Sequence, residues 1–495
     1  MKLDQQIPSD HPVRDIAQAC DAGLYDQQQL LDLYSGKGSQ PHDPRLLIKL
    51  VIYAQQRGQT KPTRWADLLQ SDITAQWLTK GIRVSRTAMY AFRDRIEPIL
   101  QKINKQVVQS AIERGVIDPH RASLDGSYVA ANTSRSKLFN LKKVRQRLQW
   151  IEWGLSQFQP ESLWWTVTTL DDQVRPKWLA TTYLGLQFQL KMYRKAEQKL
   201  LEWLAANAKR RSDKRKPENK VVVSMADSDA VFGLDKHKVY RPLYNVQTVC
   251  DLDSDMVLSY EVFAQVSDSG TLQTMIDRVI QCGVSLKSLL ADSGYPVGED
   301  LRYCRDKSIT LYAPWQENSF TAVKKASSGG LAKFTQSDFQ WEPEHSQYRC
   351  PSGSVLSFAE NQTRQRADGT RVPFELFRAE RSACSSCALA NRCTESKRGR
   401  SVRRDPDQDL IDGLQSRMET PEAKLMYAHR GQTIERLYGD FKEHRGASRF
   451  RGRTLQRART QYGIMVLGHN LRIALRLLRR QNQEEECEKH QQSAA

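Results

Sequence analysis

The sequence predicts an α/β fold: a mixed sheet with helices packed on its faces, interrupted by insertions and preceded by an all-helical N-terminal domain. Two patterns support this prediction. Residues 219–317 alternate strand, hairpin, helix, strand, helix and strand, which is typical of a mixed sheet flanked by helices. Residues 1–117 carry apolar side chains at helical spacing almost throughout.

Composition and charge indicate a folded protein that binds a polyanion. The chain of 495 residues is 39% hydrophobic and contains 10 Trp and 17 Tyr, which is enough for packed cores and excludes a disordered protein. Its formal net charge of +18 favours nucleic acid as the partner. A basic enzyme with another substrate is the alternative.

The sequence carries no recognisable membrane or secretion signal. No apolar run is long enough to span a bilayer, and the first ten residues lack the apolar core of a signal peptide. We therefore expect a location in the reducing cytoplasm. The 9 cysteines then indicate free thiols or metal ligands rather than disulfides.

The N-terminal domain, residues 1–117, is predicted to bind DNA. Asp43 and Ser85 precede apolar periodic runs and are candidate helix N-caps. Several short helices with interleaved Lys and Arg side chains suit a helix-turn-helix type of unit. A helical packing or dimerisation domain fits the same pattern.

Two insertions divide the predicted α/β core into three parts. A strand-like stretch in the first part contains Asp125-Gly126, and a short buried strand in the second part ends just before Asp292. The first insertion is helical and ends in a charged linker. The core parts are residues 118–134, 219–317 and 425–480, and the insertions are residues 135–218 and 318–424.

The second insertion is polar, rich in predicted strands, and carries four cysteines with metal-ligand spacing. Cys350 lies in a CPSG turn, Cys384 and Cys387 form a CxxC knuckle, and Cys393 follows them. This set matches the ligand supply of a tetrahedral Zn²⁺ site. Four thiolates leave no open position, so the zinc would be structural. Buried free thiols are the alternative.

The most informative stretch is Tyr427–Arg453, which is predicted to begin as a helix and to stop near Gly446. Glu435 and Lys442 lie seven residues apart, on one side of the helix, at the margin of its apolar stripe. A carboxylate set among cations suits a metal ligand beside phosphates. The cations are Arg430, Lys442, Arg445, Arg449, Arg451 and Arg453. A solvated helix with ordinary ion pairs is the alternative.

The end of the chain is predicted to form a second amphipathic helix followed by a tail. His469 falls on the apolar stripe of that helix, so we expect a core histidine rather than a catalytic one. Residues 481–495 are polar, and we expect them to be disordered.

Three acids, Asp125, Asp292 and Glu435, are the candidate catalytic residues. Converging carboxylates repel one another unless cations lie between them. Two Mg²⁺ ions about 4 Å apart could activate a water and stabilise the leaving oxygen of a phosphodiester. Other candidates for the first acid are Asp227, Asp229 and Asp251. The alternative is that Asp125-Gly126 forms a turn and Asp292 caps a helix.

Three motifs resemble those of a known family. SLDGSYVAAN, LLADSGYP and IERLYGDFKEHRGASRFRGR resemble, in this order, the acid-bearing motifs of DDE transposases from bacterial insertion sequences. Tyr427, Arg430, Glu435 and Lys442 match the family's tyrosine–arginine–glutamate–lysine signature. One extra residue separates Arg430 from Glu435 relative to the commonest spacing. The cysteine-bearing segment and the helical leader resemble one subgroup, and the resemblance covers about residues 10–480.

The resemblance implies a ribonuclease H-like fold and a transposase activity. Asp125, Asp292 and Glu435 would bind two Mg²⁺ ions, or Mn²⁺ in their place, and direct hydrolysis at the inverted-repeat ends of a transposon. The freed 3′-hydroxyl would then attack target DNA. Lys442 and Arg430 would bind phosphates near the cleaved end, and Tyr427 would pack or contact the DNA backbone.

The resemblance also implies partners and a location. The partners would be double-stranded DNA, as transposon ends and as target, and a second copy of the chain in an active homodimer. The location would be the nucleoid of a prokaryotic cell. Two other functions stay open: a non-catalytic, zinc-containing DNA-binding protein derived from a transposase, and a structure-specific nuclease on the same fold.

Overall fold

The computed structural model describes residues 3–34, 41–158, 175–315 and 334–494. The chain divides into two compact units. The first comprises Met1–Trp203, Pro217–Ala291 and Leu425–Ala495, and the second comprises Leu204–Lys216 and Asp292–Lys424. The predicted α/β class is confirmed, because helices and a mixed sheet are built together in the first unit.

The α-helices of the described chain are numbered in order. They are α1 (Pro12–Asp21), α2 (Gln28–Asp32), α3 (Pro44–Gln56), α4 (Pro62–Ser71), α5 (Ile73–Leu78), α6 (Arg86–Glu113), α7 (Leu141–Ser156), α8 (Tyr183–Lys209), α9 (Leu272–Gln281), α10 (Gly298–Asp306), α11 (Arg381–Ser385), α12 (Ala390–Cys393), α13 (Gln408–Glu419), α14 (Pro421–Arg430), α15 (Arg436–Glu443) and α16 (Leu455–Ala494). A π-helical segment, Gly431–Glu435, joins α14 to α15. Across the described chain, no helix is long and apolar enough to cross a membrane.

The strands are numbered in the same way. They are β1 (Arg121–Ala130), β2 (Leu138–Phe139), β3 (Val223–Ser224), β4 (Val231–Leu234), β5 (Tyr240–Asp251), β6 (Val257–Phe263), β7 (Ser288–Leu290), β8 (Thr310–Tyr312), β9 (Gln340–Glu342), β10 (Gln347–Arg349), β11 (Val355–Gln365), β12 (Arg371–Ala379) and β13 (Ser401–Arg404).

Helix starts follow the predicted capping residues. The Asp43 side chain accepts a hydrogen bond from the backbone N–H of Arg45, and the Ser85 side chain accepts one from the backbone N–H of Ala88. Both predicted N-caps are therefore confirmed. The second of them starts α6, which packs along α16. The Asn104 amide in α6 donates to the Gly463 carbonyl at 3.1 Å.

The sheet of the first unit is built around β1 and β5. Strand β5 pairs antiparallel with β1, β4 and β6, and β7 pairs parallel with β1. The predicted β5–β6 hairpin is confirmed. In the β1–β5 register Asp125 lies opposite Thr248 and Gly126 opposite Gln247. Because successive side chains alternate between faces, Asp125 and Gly126 point to opposite sides of the sheet.

One face of this sheet packs against the helices near the C-terminus. The buried cluster there joins Tyr244 and Val246 of β5 with Ile434, Phe441 and Tyr462. Ile434 and Phe441 are fully buried, so the predicted apolar stripe of the Glu435 helix faces the core. The same packing holds the helix against the strand that carries Asp125.

The second unit contains an antiparallel sheet in the order β13-β12-β11-β10-β9. Its core joins Trp341, Tyr348 and Phe377, whose rings lie within 5.4 Å of one another, centroid to centroid. The Arg404 guanidinium lies 3.8 Å from the centre of the Trp341 ring. The strand-rich character predicted for residues 318–424 is confirmed from residue 334 onward, and the residues before it lie outside the described part.

The C-terminal segment differs from the sequence prediction. Helix α16 continues to Ala494, through the residues expected to form a disordered tail. Gln, Glu and Lys dominate this segment and have high helix propensity. Arg480 pairs with Glu484 one turn later at 2.8 Å, which favours continuation of the helix.

His469 in α16 is a core histidine, as predicted. It is 5% exposed, and its Nε2 lies 2.9 Å from the Asp255 carbonyl oxygen. Its ring packs edge-on against Phe441. Burial lowers the pKa of His469 to about 4.

The depressed pKa predicts a loss of stability in acid. The unfolded chain takes up a proton at His469 below about pH 6.5, whereas the folded chain does so only near pH 4. Between these values the unfolded state binds more protons, so stability falls as the pH falls. The free energy of unfolding falls between pH 8 and pH 5, and we expect His469→Gln to make that fall smaller by about 2 kcal/mol. Urea unfolding at the two pH values measures it, and an equal loss in both proteins would contradict the assignment.

Candidate active site

Asp125 lies on the face of β1 that packs against the C-terminal helices. Its carboxylate accepts a hydrogen bond from the Arg430 guanidinium at 2.8 Å. The two side chains are only 13% and 12% exposed, so water screens this ion pair weakly. The pair joins residues 305 positions apart in the chain.

Helix α15 holds the backbone of β1 at Asp125 through the Tyr438 side chain. The Tyr438 hydroxyl lies 2.7 Å from the Asp125 carbonyl oxygen and 3.2 Å from that of Val246 on β5. Tyr438 is buried. One side chain of α15 therefore fixes the position of both strands at the level of Asp125.

The π-helical segment accounts for the unusual spacing before Glu435. In an α-helix residues four apart lie about one turn apart, whereas in a π-helix residues five apart do so. Arg430 and Glu435 are five residues apart, and Gly431–Glu435 is π-helical. The extra residue therefore widens one turn and leaves Arg430 and Glu435 on about the same side of the helix.

Glu435 itself is exposed, at the end of the π-helical segment. Its carboxyl carbon lies 3.7 Å from the position that a Cβ on Gly431 would occupy, so its side chain folds back toward the preceding turn. Arg430 immediately precedes that turn. The carboxylate therefore lies on the Arg430 side of the helix.

Lys442 places a partly buried cation near Asp125. Burial lowers the pKa of Lys442, Lys236 in the β4–β5 turn lowers it further, and the carboxylates of Asp125 and Glu443 oppose the shift. Lys442 lies two α-helical turns after Glu435. We predicted that Glu435 and Lys442 lie on one side of the helix. The interaction of Lys442 with Asp125 is consistent with that prediction.

The opposite face of β1 holds an acid that the sequence analysis did not single out. Asp268 accepts hydrogen bonds from the Asn245 amide at 2.8 Å and the Gln247 amide at 2.7 Å. A Cβ on Gly126 would lie 2.3 Å from an Asp268 oxygen, so only glycine fits there. The Asp-Gly pair within a strand pattern was the available signal for this close approach.

The other candidates for the first acid have structural partners. Asp227 is 2% exposed and accepts a hydrogen bond from the Tyr244 hydroxyl at 2.8 Å. Asp229 pairs with Lys195 at 2.8 Å. Asp251 accepts hydrogen bonds from the hydroxyl and backbone N–H of Ser254. Asp125 also has a partner, but that partner is Arg430, which lies on the side of the helix that carries Glu435.

Asp292 is the second residue after β7 and the first residue of the second unit. It is exposed, and its carboxylate accepts a hydrogen bond from the Ser293 backbone N–H at 2.6 Å. Helix α10 begins only at Gly298, so Asp292 does not cap it. Strand β7 pairs with β1 through Ser123 and Leu290.

The remaining cations divide into two groups. Arg445 is 7% exposed and pairs with Asp440 at 2.6 Å, which favours a structural role. Three arginines after α15 are exposed and, within the described chain, form no side-chain ion pair: Arg449, Arg451 and Arg453. Tyr427 is partly exposed in α14.

Comparison with known families decides the identity of the chain. Residues 1–95 match a transposase domain (DUF772), and residues 349–474 match a transposase DDE domain. The second match includes the cysteine-bearing segment and the helix of Arg430, Glu435 and Lys442. The chain belongs to the DDE transposases of insertion-sequence type. No curated protein matches it.

The four predicted zinc ligands of this transposase line one small cavity of about 20 Å³ in the second unit. Their proximity also affects the pKa of Cys393, which is raised by burial and by the other three cysteines, against the effect of Arg400. Backbone N–H groups of Leu389 and Arg400 donate to Cys387 and Cys384 sulfurs, each at 3.4 Å.

Metal-binding spacing is not reached at these cysteines or elsewhere in the described chain. Among the described residues, no group of three or more His, Cys, Asp or Glu side chains could hold a metal ion. The four thiols therefore share a cavity without forming such a group.

Because of the π-helical segment, we expect deleting one residue within it to cost less stability than inserting one residue into α15. Deleting the exposed Gln432 should let Gly431–Glu435 revert to α-helix with both flanks in place, and change the unfolding free energy by less than about 1 kcal/mol. Inserting Ala after the exposed Gly439 should rotate Phe441 out of the core and cost about 3–5 kcal/mol. Urea unfolding of both variants measures the difference, and a deletion as costly as the insertion would contradict the interpretation.

Proposed function

We propose that this transposase catalyses Mg²⁺-dependent cleavage at the inverted-repeat ends of its own element, followed by strand transfer into target DNA. The observation that carries the proposal is the pairing of Asp125 with Arg430. It sets the first motif acid against the helix that also presents Glu435 and Lys442. The match to a transposase DDE domain supports the same chemistry.

The sheet supports a ribonuclease H-like core for the proposed reaction. The acid-bearing strand β1 pairs antiparallel with β5 and parallel with β7, and Asp292 follows β7. We propose Asp125, Asp292 and Glu435 as the three acids of the core. Asp227, Asp229 and Asp251 would serve the fold rather than the reaction.

The proposed acids fit a hard divalent cation by their chemistry, because carboxylate oxygens are the ligands that Mg²⁺ and Mn²⁺ prefer. In the described residues the Asp125 carboxylate is compensated by Arg430. Asp125, Asp292 and Glu435 would hold two Mg²⁺ ions, which when bound would activate the attacking hydroxyl and stabilise the leaving oxygen.

The cations of the helix have distinct proposed roles. Lys442, partly buried beside Asp125, would bind a phosphate of the cleaved strand. Arg430 would keep the Asp125 carboxylate oriented. Tyr438 would keep β1 in register with the helix.

DNA is the proposed partner along a wider surface. Exposed Arg449, Arg451 and Arg453 would neutralise backbone phosphates, and the net charge of +18 supports binding to duplex ends and target. The N-terminal helices would recognise the ends. Pairing of two ends implies a homodimer in the active complex, acting in a prokaryotic cytoplasm at the nucleoid.

Glu435→Gln tests the proposed reaction. The change removes a metal ligand but no phosphate contact, so DNA binding should persist while strand cleavage falls by about 10²-fold or more. The measurement is nicking of labelled duplexes that carry the element's ends, with and without Mg²⁺. Exposed Glu422 in α14 supplies the matched control, and Glu422→Gln should cleave normally.

Other outcomes of the same assay distinguish the alternatives. Normal cleavage by Glu435→Gln would remove Glu435 from the site. Wild-type protein that binds ends but never cleaves them would be a non-catalytic DNA-binding protein. Cleavage of junctions without strand transfer would indicate a structure-specific nuclease.

We also propose a structural Zn²⁺ on Cys350, Cys384, Cys387 and Cys393. The donor set suits zinc, and N–H···S hydrogen bonds of the kind found in the structure stabilise thiolate ligands. Among the described residues, the four cysteines are not arranged as a group that could hold a metal ion. Metal binding would therefore draw the four sulfurs together.

Metal analysis of the purified protein tests the zinc. We expect about one equivalent of zinc in the wild type and its loss in Cys384→Ser, with a lower unfolding temperature. Cys304→Ser is the control, because Cys304 is buried away from this cysteine set and should leave the zinc content unchanged. Four freely titratable thiols without metal in the wild type would refute the proposal.

A further inference from the structure

The first unit contains a basic pocket at the end of β1 that the acids and the Glu435 helix do not explain. Its volume is about 270 Å³. The lining residues are Ala130, Ala131, Thr133, Ser134, Arg135, Arg241, Pro242 and Arg449. Three of these are arginines and none is acidic.

Among the described residues, the arginines of the pocket have fewer acidic partners than charges. Arg241 pairs with Asp235 at 2.8 Å. Arg135 and Arg449 are exposed and form no side-chain ion pair in the described chain. Like charges converging on one cavity repel one another unless an anion lies between them. The charge pattern therefore indicates an anion ligand.

Backbone hydrogen bonds fix the walls of the pocket. The Phe450 N–H donates to the Ala130 carbonyl at 2.9 Å, which holds the segment of Arg449 beside the end of β1. The Ala131 N–H donates to the Pro242 carbonyl at 3.0 Å, which holds the start of β5, with Arg241, on the other side. Three separate segments thus present their arginines to one space.

The size of the pocket suits a single charged group. Its volume is slightly below the roughly 300 Å³ at which pockets begin to enclose whole small molecules. A phosphate with its bound waters would fit. Arginine forks match phosphate oxygens in pairs, which lysines do not.

We infer that this pocket binds one phosphodiester group of the DNA that the transposase cleaves. The inference rests on the proposed function, because it takes the DNA to be the substrate of the site that includes Asp125 on β1. It adds Arg135 and Arg241, which no motif marks, to the DNA contacts, and it gives Arg449 a defined position.

The position of the pocket predicts which phosphate is bound. Ala130 follows Asp125 by five residues along β1, a distance of about 17 Å at the rise of a strand. Phosphates of one DNA strand follow one another by about 3.4 Å along the duplex. The bound phosphate therefore lies within about five base pairs of the cleaved bond.

Replacing one DNA phosphate at a time by an uncharged methylphosphonate tests this inference. Full-length wild type and the Arg135→Gln/Arg449→Gln double variant are titrated with element-end duplexes, each carrying one methylphosphonate. Within about five base pairs of the cleaved bond, one position should weaken wild-type binding about tenfold and leave the variant unaffected. The variant should also lower the slope of log K against log salt by about 0.9. Both arginines are exposed and form no ion pair with another described residue, so circular dichroism should match the wild type.

Control and contrary outcomes are distinct. Arg371 lies in the second unit, is exposed and forms no ion pair with a described residue, so Arg371→Gln should behave as wild type. Equal sensitivity of wild type and double variant at every phosphate would overturn the inference. So would stabilisation of the wild type by inorganic phosphate without any change in the methylphosphonate profile, which would indicate a free-anion site.

Failure of the proposed function is separable from failure of the pocket. DNA-binding titrations test the pocket, whereas Mg²⁺-dependent nicking of DNA tests the proposed function. If one methylphosphonate position weakens wild-type binding but the wild type never nicks DNA, the proposed function is refuted and the pocket is supported. A wild type that nicks normally but shows no pocket phosphate would refute the pocket alone.

Discussion

The ion pair between Asp125 and Arg430 is the contact on which the arrangement of the candidate site depends. It joins a strand near the beginning of the sheet to a helix more than 300 residues later, and both side chains are largely buried. A charge buried here without its partner would cost several kcal/mol, so the two elements are constrained to meet at this point. Tyr438 adds a neutral contact to the same strand position.

The π-helical segment reconciles this ion pair with the packing of the helix. The core requires Ile434 and Phe441 on the inner face, seven residues apart as two α-helical turns allow. Arg430 lies four residues before Ile434, and the widened turn absorbs the extra residue so that Arg430 still faces Asp125. Such segments are uncommon and concentrate at functional sites, which agrees with its position beside Glu435.

Much of the fold could be predicted because it depends on local chemistry. Ser85 caps α6, the β5–β6 hairpin follows its alternating pattern, and Glu435 and Lys442 share a side because two α-helical turns separate them. What could not be predicted depends on distant partners. The approach of Asp268 to Gly126 and the meeting of Arg135, Arg241 and Arg449 join segments far apart in sequence. The C-terminal segment differs from the expected disordered tail, because its polar residues also favour helix.

The first unit therefore combines two sets of charges with different partners inside the protein. Around Asp125 the cations are compensated by carboxylates, which suits a site where metal and phosphate exchange. At the end of β1 the arginines outnumber the acids, which suits a fixed phosphate. Asp125 lies on β1 and the pocket lies at the end of β1, so the strand sets the distance between the two sites.

A double-mutant cycle on Asp125 and Arg430 tests the central contact most directly. The unfolding free energies of the wild type, Asp125→Asn, Arg430→Gln and the double variant are measured in urea without divalent metal. The account predicts a coupling free energy of about 1–3 kcal/mol, because the pair is buried and each partner compensates the other. Additive effects, with a coupling below about 0.3 kcal/mol, would contradict it.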